Sequence, residues 1–242
     1  FKEIDFAYTP GKSVLKQVSF SLSKGESIGI VGPTGSGKSS IINLITGFYP
    51  PRKGTIEING MDHSIIPIEA IRTKTALVMQ DPILFSGTIR ENIQPSGLPG
   101  TDRTAPKDDK RLSQALKKAN CEFLFTKFNG LDTQIEEGGR PLSSGEKQLV
   151  CIARAFAFDP DLIIFDEATS YMDSQSEQIV HDAMNNLMKG RLSIIIAHRL
   201  STVRACDSIL FLKDGIIREQ GTHSELVDIK GEYYHLLLKE KI

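Results

Sequence analysis

The chain has 242 residues, 40% hydrophobic and 24% charged, a balance that fits a globular protein and argues against a disordered or fibrous one. Lys and Arg total 29 against 30 Asp and Glu, so the net charge of −1 creates no field that would draw the chain to nucleic acid or to an anionic membrane. Cys121, Cys151 and Cys206 are widely spaced and form no C-x-x-C pair, which speaks against a disulfide framework or a zinc knuckle and for a reducing compartment.

The opening third alternates short β-rich runs with turn residues: Phe1 to Tyr8, Val14 to Leu22, Glu26 to Val31 after Lys24-Gly25, and Thr55 to Asn59. From Lys38 to Gly47 the pattern becomes helical, and Pro50-Pro51 follows as a stop signal. After a strand at Ala76 to Gln80 the chain reads as helices broken by loops up to about Phe158, with an aperiodic surface loop from Pro95 to Asp109. Strand and helix then alternate again: Leu162 to Phe165, Asp173 to Met188, Leu192 to Ala197, a short helix, Ser208 to Leu212, and closing helices. This organisation predicts one α/β core interrupted by a helical insertion. No apolar run approaches the roughly 18 residues of a transmembrane helix. Because the sequence opens at Phe1 inside a strand and without an initiator Met, it reads as a segment of a longer protein.

Two segments carry chemistry. Gly32-Pro33-Thr34-Gly35-Ser36-Gly37-Lys38-Ser39 fits G-x-x-x-x-G-K-[ST], preceded by the buried strand Ile28 to Val31 and continued by a helix through Ser40 to Ile45. Glycines allow backbone N–H groups to curl round phosphate oxygens, and the helix N-terminus adds positive partial charge. Lys38 supplies a full charge toward the β- and γ-phosphates, and the Ser39 hydroxyl ligates Mg²⁺. The second segment, Leu162-Ile163-Ile164-Phe165-Asp166-Glu167, is an apolar strand ending in two acids. Asp166 is placed to hold Mg²⁺ through water, and Glu167 to polarise an attacking water.

Together with Leu142-Ser143-Ser144-Gly145-Glu146 and His198, these segments resemble, in order, the nucleotide-binding domains of ABC transporters over nearly the whole chain. Gln80 in Val78-Met79-Gln80-Asp81 is similar to the Q-loop glutamine, and Ser170-Tyr171-Met172-Asp173 to the D-loop. His198 is similar to the switch histidine, and Tyr8 to the aromatic that stacks on adenine. The texture of Asp81 to Ile89 and of Glu167 to Ser170 is closer to the multidrug and lipid exporters than to importers. The fold implied is an α/β P-loop NTPase core with a mixed, mainly parallel sheet, an antiparallel β subdomain and an inserted helical subdomain. Residues 1–79 and 160–242 would form the core with the β subdomain, and 80–159 the helical subdomain with the signature segment.

The resemblance further implies ATP and Mg²⁺ as ligands, with Tyr8, Gly32 to Ser40 and Asp173 at the nucleotide and Ser39, Gln80 and Asp166 at the metal. Glu167, His198 and Gln80 would be catalytic. The signature segment departs from L-S-G-G-Q at Ser144 and Glu146; read from the residues alone, Ser143-x-x-Glu146 is a capping box opening a helix to about Phe158. Ser143, Ser144, Gly145 and Glu146 would press on the γ-phosphate of ATP held by a second such domain, with Ser143 and Gly145 touching its oxygens. A fused transmembrane domain is expected upstream of Phe1, which puts this domain on the cytoplasmic or organelle-matrix face of a membrane. The rival readings are a soluble ABC-type ATPase acting on nucleic acid or ribosomes, which a basic surface or a long coiled coil would favour, and a regulatory module that binds ATP with little turnover. A kinase built on the phosphate loop lacks an acceptor site. His63, His181, His223 and His235 stand singly, away from metal-ligand spacing, and read as structural or solvated.

Overall fold

The structure, a computed structural model, describes residues 1–94, 109–166, 172–197 and 200–240. In chain order, β1 (Lys2–Phe6), β2 (Leu15–Val18) and β3 (Ser27–Val31) precede α1 (Lys38–Ile45), β4 (Lys53–Thr55), β5 (Glu57–Ile58), β6 (Met61–Asp62) and α2 (Ile68–Arg72). Next come β7 (Thr75–Val78), β8 (Gly87–Thr88), α3 (Ile89–Ile93), α4 (Asp109–Lys118), α5 (Phe123–Thr126), β9 (Gln134–Ile135) and α6 (Ser144–Phe158). The chain closes with β10 (Leu162–Asp166), α7 (Ser174–Met188), β11 (Leu192–Ile196), α8 (Leu200–Val203), β12 (Ser208–Lys213), β13 (Ile216–Gly221), α9 (His223–Ile229) and α10 (Glu232–Glu240). It divides into two compact units, Phe1–Thr75 with Leu192–Ile242, and Ala76–Arg191.

In the first unit β3 lies parallel between β11 and β12, with Ile28 opposite Ile194 and Ile30 opposite both Ile196 and Leu210. Ile28, Ile30, Val31, Ile194, Ile195, Ile196, Ile209 and Leu210 are all buried, so these strands read as continuous apolar runs because both faces of a parallel sheet are covered. Ser27 at the start of β3 is pinned to the segment before β12: its amide and hydroxyl donate to Asp207 Oδ2 at 2.8 and 2.7 Å. Those bonds need the charged carboxylate, and they hold the Asp207 carboxyl below its ordinary range. A separate antiparallel sheet, β2-β1-β4, buries Ile4, Phe6, Leu15 and Val18 on one face.

Two hairpins in this unit have no counterpart in the sequence reading. Asp214 and Gly215, with φ of 53° and 77°, turn β12 back into the antiparallel strand β13, where the reading passes directly to helices. Asn59 and Gly60, with φ of 52° and 78°, turn β5 onto β6, and the run expected at Thr55 to Asn59 falls on the end of β4 and on β5. Both are Asx-Gly turns of the left-handed kind that match the twist of paired strands. The strands beyond them are short or rich in charge, so they lack the apolar runs on which strand recognition rests.

The second unit is organised round α6, against which α3, α4 and α7 pack. Leu112, Ala115 and Leu116 of α4, Val150, Ile152 and Ala153 of α6, and Val180, Ala183, Met184 and Leu187 of α7 form its helical core. β7 and β10 are neighbours in the sheet, and Ile163, Ile164 and Phe165 of β10 are fully buried. Among the described residues no helix is long and apolar enough to cross a membrane.

Candidate functional site

The loop after β3 is shaped by backbone that only glycine accepts. Gly32 has φ of 149°, and a Cβ there would lie 1.9 Å from the Leu212 carbonyl oxygen. Gly37 has φ of 106° at the N-cap of α1, and a Cβ would lie 2.7 Å from Leu15 Cδ2. Between them the Ser36 amide donates to Pro33 O at 3.2 Å, closing a turn. Pro33, Thr34 and Gly35 are exposed at its tip. With glycine at the N-cap, no side chain caps α1, and no acid lies in its first turn, so its positive end stays open to an anion.

Side-chain chemistry in the loop matches that opening. Lys38 is 6% exposed, and its Nζ donates to Gly32 O at 2.8 Å and Pro33 O at 3.2 Å, which brings a full positive charge over the loop. Ser36 Oγ is buried with no hydrogen-bond partner, a state that costs roughly 1–3 kcal/mol in a protein unless a ligand supplies the missing bond. A buried ammonium, an orphaned hydroxyl and an open helix N-terminus form a donor set suited to a polyanionic phosphate. Ser39 is exposed on the first turn of α1, and Ser40 is buried behind it. The Ser40 Oγ lies 3.0 Å from the hydroxyl of Tyr8, so the structure brings Tyr8 and the whole Gly32 to Ser40 stretch together in the first unit.

The other expected site residues belong to the second unit. Asp166 ends β10 half-buried, and Gln80 stands half-buried two residues beyond β7. The expected capping box is present at α6: Ser143 Oγ accepts from the Glu146 amide at 3.3 Å, and the Ser143 amide donates to Glu146 Oε2 at 2.9 Å. Burial alone would raise the Glu146 carboxyl, but the Ser143 amide, the Lys127 ammonium at 3.1 Å and the Ser143 hydroxyl together hold it below its ordinary range. Ser143, Gly145 and Glu146 line one pocket with Lys127, Asn120 and Ser176. Ser144 is exposed beside it. Asp173 caps α7 by accepting from the Gln175 and Ser176 amides at 3.1 and 3.0 Å, and Ser176 packs closely on Gly145, where a Cβ would lie 3.0 Å from Ser176 Cβ. Glu167 and His198, with Ser170 and Tyr171 of the D-loop and the segment 95–108, lie outside the described residues.

Several residues that shape these sites carry no motif. Gln148 on α6 is fully buried, and its amide donates to Met79 O at 3.2 Å, next to Gln80. Arg154, further along α6, donates to Ile83 O at 3.0 Å and Asn92 O at 2.7 Å, so α6 grips the segment that follows Gln80. Their only sequence signal is polar character at positions of α6 where the helical period demands burial. Among the described residues no group of three or more His, Cys, Asp or Glu could hold a metal by itself; His63 Nε2 lies 3.0 Å from Ile45 O and His223 Nδ1 2.7 Å from the Tyr233 hydroxyl.

A model of the ABC transporter family matches residues 15–170, from the start of β2 through the phosphate loop and the end of β10. The chain belongs to the ABC transporter family. It is 41% identical over 247 residues to a probable multidrug resistance ABC transporter ATP-binding/permease protein of Bacillus subtilis, covering 100% of this chain and 35% of that protein. It is 45% identical over 242 residues to ABC transporter B family member 22 of Arabidopsis thaliana, covering 98% of this chain and 19% of that protein. Among solved structures it is similar, with a TM-score of 0.88 and 36% identity, to a bacterial Atm1-family ABC exporter with ATP bound; the match covers 100% of this chain and 41% of that one. The chain therefore spans about a third or less of the length of these curated relatives. It has the fold of an ABC nucleotide-binding domain: the phosphate loop rises from the parallel sheet of the first unit and the signature helix α6 forms the centre of the second.

Proposed function

We propose that this ABC domain binds and hydrolyses ATP to drive an exporter, pairing with a second nucleotide-binding domain and acting on membrane-spanning helices of the same protein at the cytoplasmic or organelle-matrix face. The observation that carries the reading is the phosphate loop, where a buried Lys38 and the orphaned Ser36 hydroxyl stand at an open helix N-terminus. The relatives named above, all ABC transporters, support the exporter assignment.

In this reading the loop amides of Gly35 to Ser39 and the Lys38 ammonium hold the β- and γ-phosphates. A Mg²⁺ ion held by Ser39 and Asp166, with Gln80 alongside, would neutralise charge on the phosphates. Glu167 accepts a proton from the attacking water, and His198 and Gln80 contact the γ-phosphate, the water or the metal. The second domain contributes the N-terminus of its α6. There Ser143 and Gly145 meet the γ-phosphate oxygens while Ser144 and Glu146 flank them, and Asp173 lies at the dimer boundary. Closure excludes bulk water and strengthens each of these contacts. Tyr8 stacks on adenine.

Paired cysteines test the head-to-tail arrangement. Thr34 and Ser144 are exposed, and the native thiols are buried, that of Cys206 pushed up to about 12 by burial, so they stay out of the reaction at neutral pH. A Thr34→Cys/Ser144→Cys variant is expected to cross-link between two copies when MgATP is present and to remain uncoupled without it. ATP binding with no ATP-dependent cross-link would overturn the dimer.

A further inference from the structure

Tyr8 presents an exposed ring but not a free one. It is 45% exposed, yet the Asn43 side-chain amide donates to its hydroxyl oxygen at 2.8 Å, and that oxygen lies 3.0 Å from Ser40 Oγ. With the amide as donor, the phenolic proton is available to Ser40, so both bonds are made at once. Asn43 acts a second time through its backbone: its carbonyl accepts from the Phe48 amide at 2.9 Å and the Tyr49 amide at 3.4 Å. That turn brings the Tyr49 ring near-perpendicular to that of Tyr8, with centroids 5.0 Å apart at 89°, while the Phe6 ring meets Tyr8 at 4.7 Å and 80°. The ring is therefore fixed at its hydroxyl and braced by two near-perpendicular aromatic neighbours.

A tyrosine on an open loop surrenders rotamer freedom when a ligand stacks on it. Here that freedom is removed before any ligand arrives, which is the condition for a preorganised platform. The anchor matters as much as the order. Ser40 and Asn43 sit on the first two turns of α1, the helix whose N-terminus is the phosphate loop, and they lie on one face at i, i+3 spacing. A single rigid helix thus sets the distance from the Tyr8 ring to the phosphate-binding amides.

We infer that Asn43 is a positioning residue for purine-base recognition: it locks the Tyr8 ring to α1 at the distance and tilt that a base requires when its phosphates occupy the loop. The inference rests on the reading of Tyr8 as the base platform.

The full chain and its variants are titrated with MgATP and, separately, with inorganic triphosphate, and the ratio of the two dissociation constants isolates the contribution of the adenosine, base and ribose together, from that of the phosphates. Tyr8→Ala is expected to reduce the preference for ATP by roughly 5- to 150-fold, the span of base stacking on an aromatic ring. Asn43→Leu, which keeps the ring but removes the tether, is expected to reduce it by roughly 3- to 10-fold, the span of one lost hydrogen bond, and Tyr8→Phe, which removes the Ser40 bond as well, by at least as much. Their double variant should lose no more than Tyr8→Phe alone, because that change already removes the Asn43 bond. Affinity for inorganic triphosphate should not change. If Tyr8→Ala lowers the ratio and both tether variants leave it at the wild-type value, the tether is overturned and the platform stands. An unchanged ratio in Tyr8→Ala overturns the platform and the inference with it. Equal loss toward both ligands in Asn43→Leu would show a general role in α1 and also overturn it.

Discussion

Lys38→Ala is expected to weaken ATP binding by roughly 10- to 150-fold, the range set by removing a charged hydrogen-bond donor from a desolvated site. Lys38 is 6% exposed and already points its ammonium at the loop carbonyls of Gly32 and Pro33. Its charge is held over the loop by the protein itself, so the phosphates need not recruit it. Alanine also strips those carbonyls of a donor, so a modest loss of stability, of the order of 1–3 kcal/mol, is expected in the protein without nucleotide. Lys38→Met separates the two effects, because it keeps the packed stem and removes only the charge. Equilibrium titration with a fluorescent ATP analogue, paired with thermal unfolding of the free protein, reads both. Equal ATP affinity in Lys38→Met and wild type would remove the phosphate loop from nucleotide binding.

Glu167→Gln is expected to have the opposite profile, with ATP affinity retained and turnover reduced by roughly 10²- to 10⁴-fold, the usual contribution of a general base. Glutamine keeps the size and hydrogen-bonding reach of the side chain and loses its capacity to take a proton from water. Glu167 directly follows Asp166, which ends the buried strand β10. In the proposed dimer the γ-phosphate bridges the two domains, so its hydrolysis would release them, and the variant should also accumulate a stable ATP-bound dimer, visible as a shift in sedimentation. Steady-state phosphate release at the wild-type rate would take Glu167 out of the reaction.

The pattern of what was legible in the sequence follows from where each function is stored. The phosphate loop works through consecutive backbone amides, and the glycines that permit their geometry are fixed in the sequence, as Gly32 and Gly37 show by their left-handed φ and lack of room for a Cβ. The capping box at Ser143 and Glu146 is likewise a local device, and the structure forms it as read. Burial of Ser36 Oγ without a partner could not be read, because it depends on strands and turns brought round the loop by the fold. Asn43 escaped for the same reason: its side chain reaches 35 residues back to Tyr8. Gln148 and Arg154 act across 69 and 71 residues on Met79 and Ile83, contacts that no window of sequence contains. The hairpins at Asn59-Gly60 and Asp214-Gly215 were, by contrast, readable from their turn dipeptides and were obscured by the weak apolar character of the strands they join.

The claim on which the rest depends is that the loop from Gly32 to Ser39 is a triphosphate cradle. Structure determination of the full chain with Mg²⁺ and a non-hydrolysable ATP analogue tests it most directly. The account predicts the β- and γ-phosphates wrapped by the amides of that loop, within reach of Lys38 Nζ and the Ser36 hydroxyl, with the metal between Ser39 and Asp166. A nucleotide bound elsewhere while the loop stands empty, or a metal beyond the reach of Asp166, would contradict it.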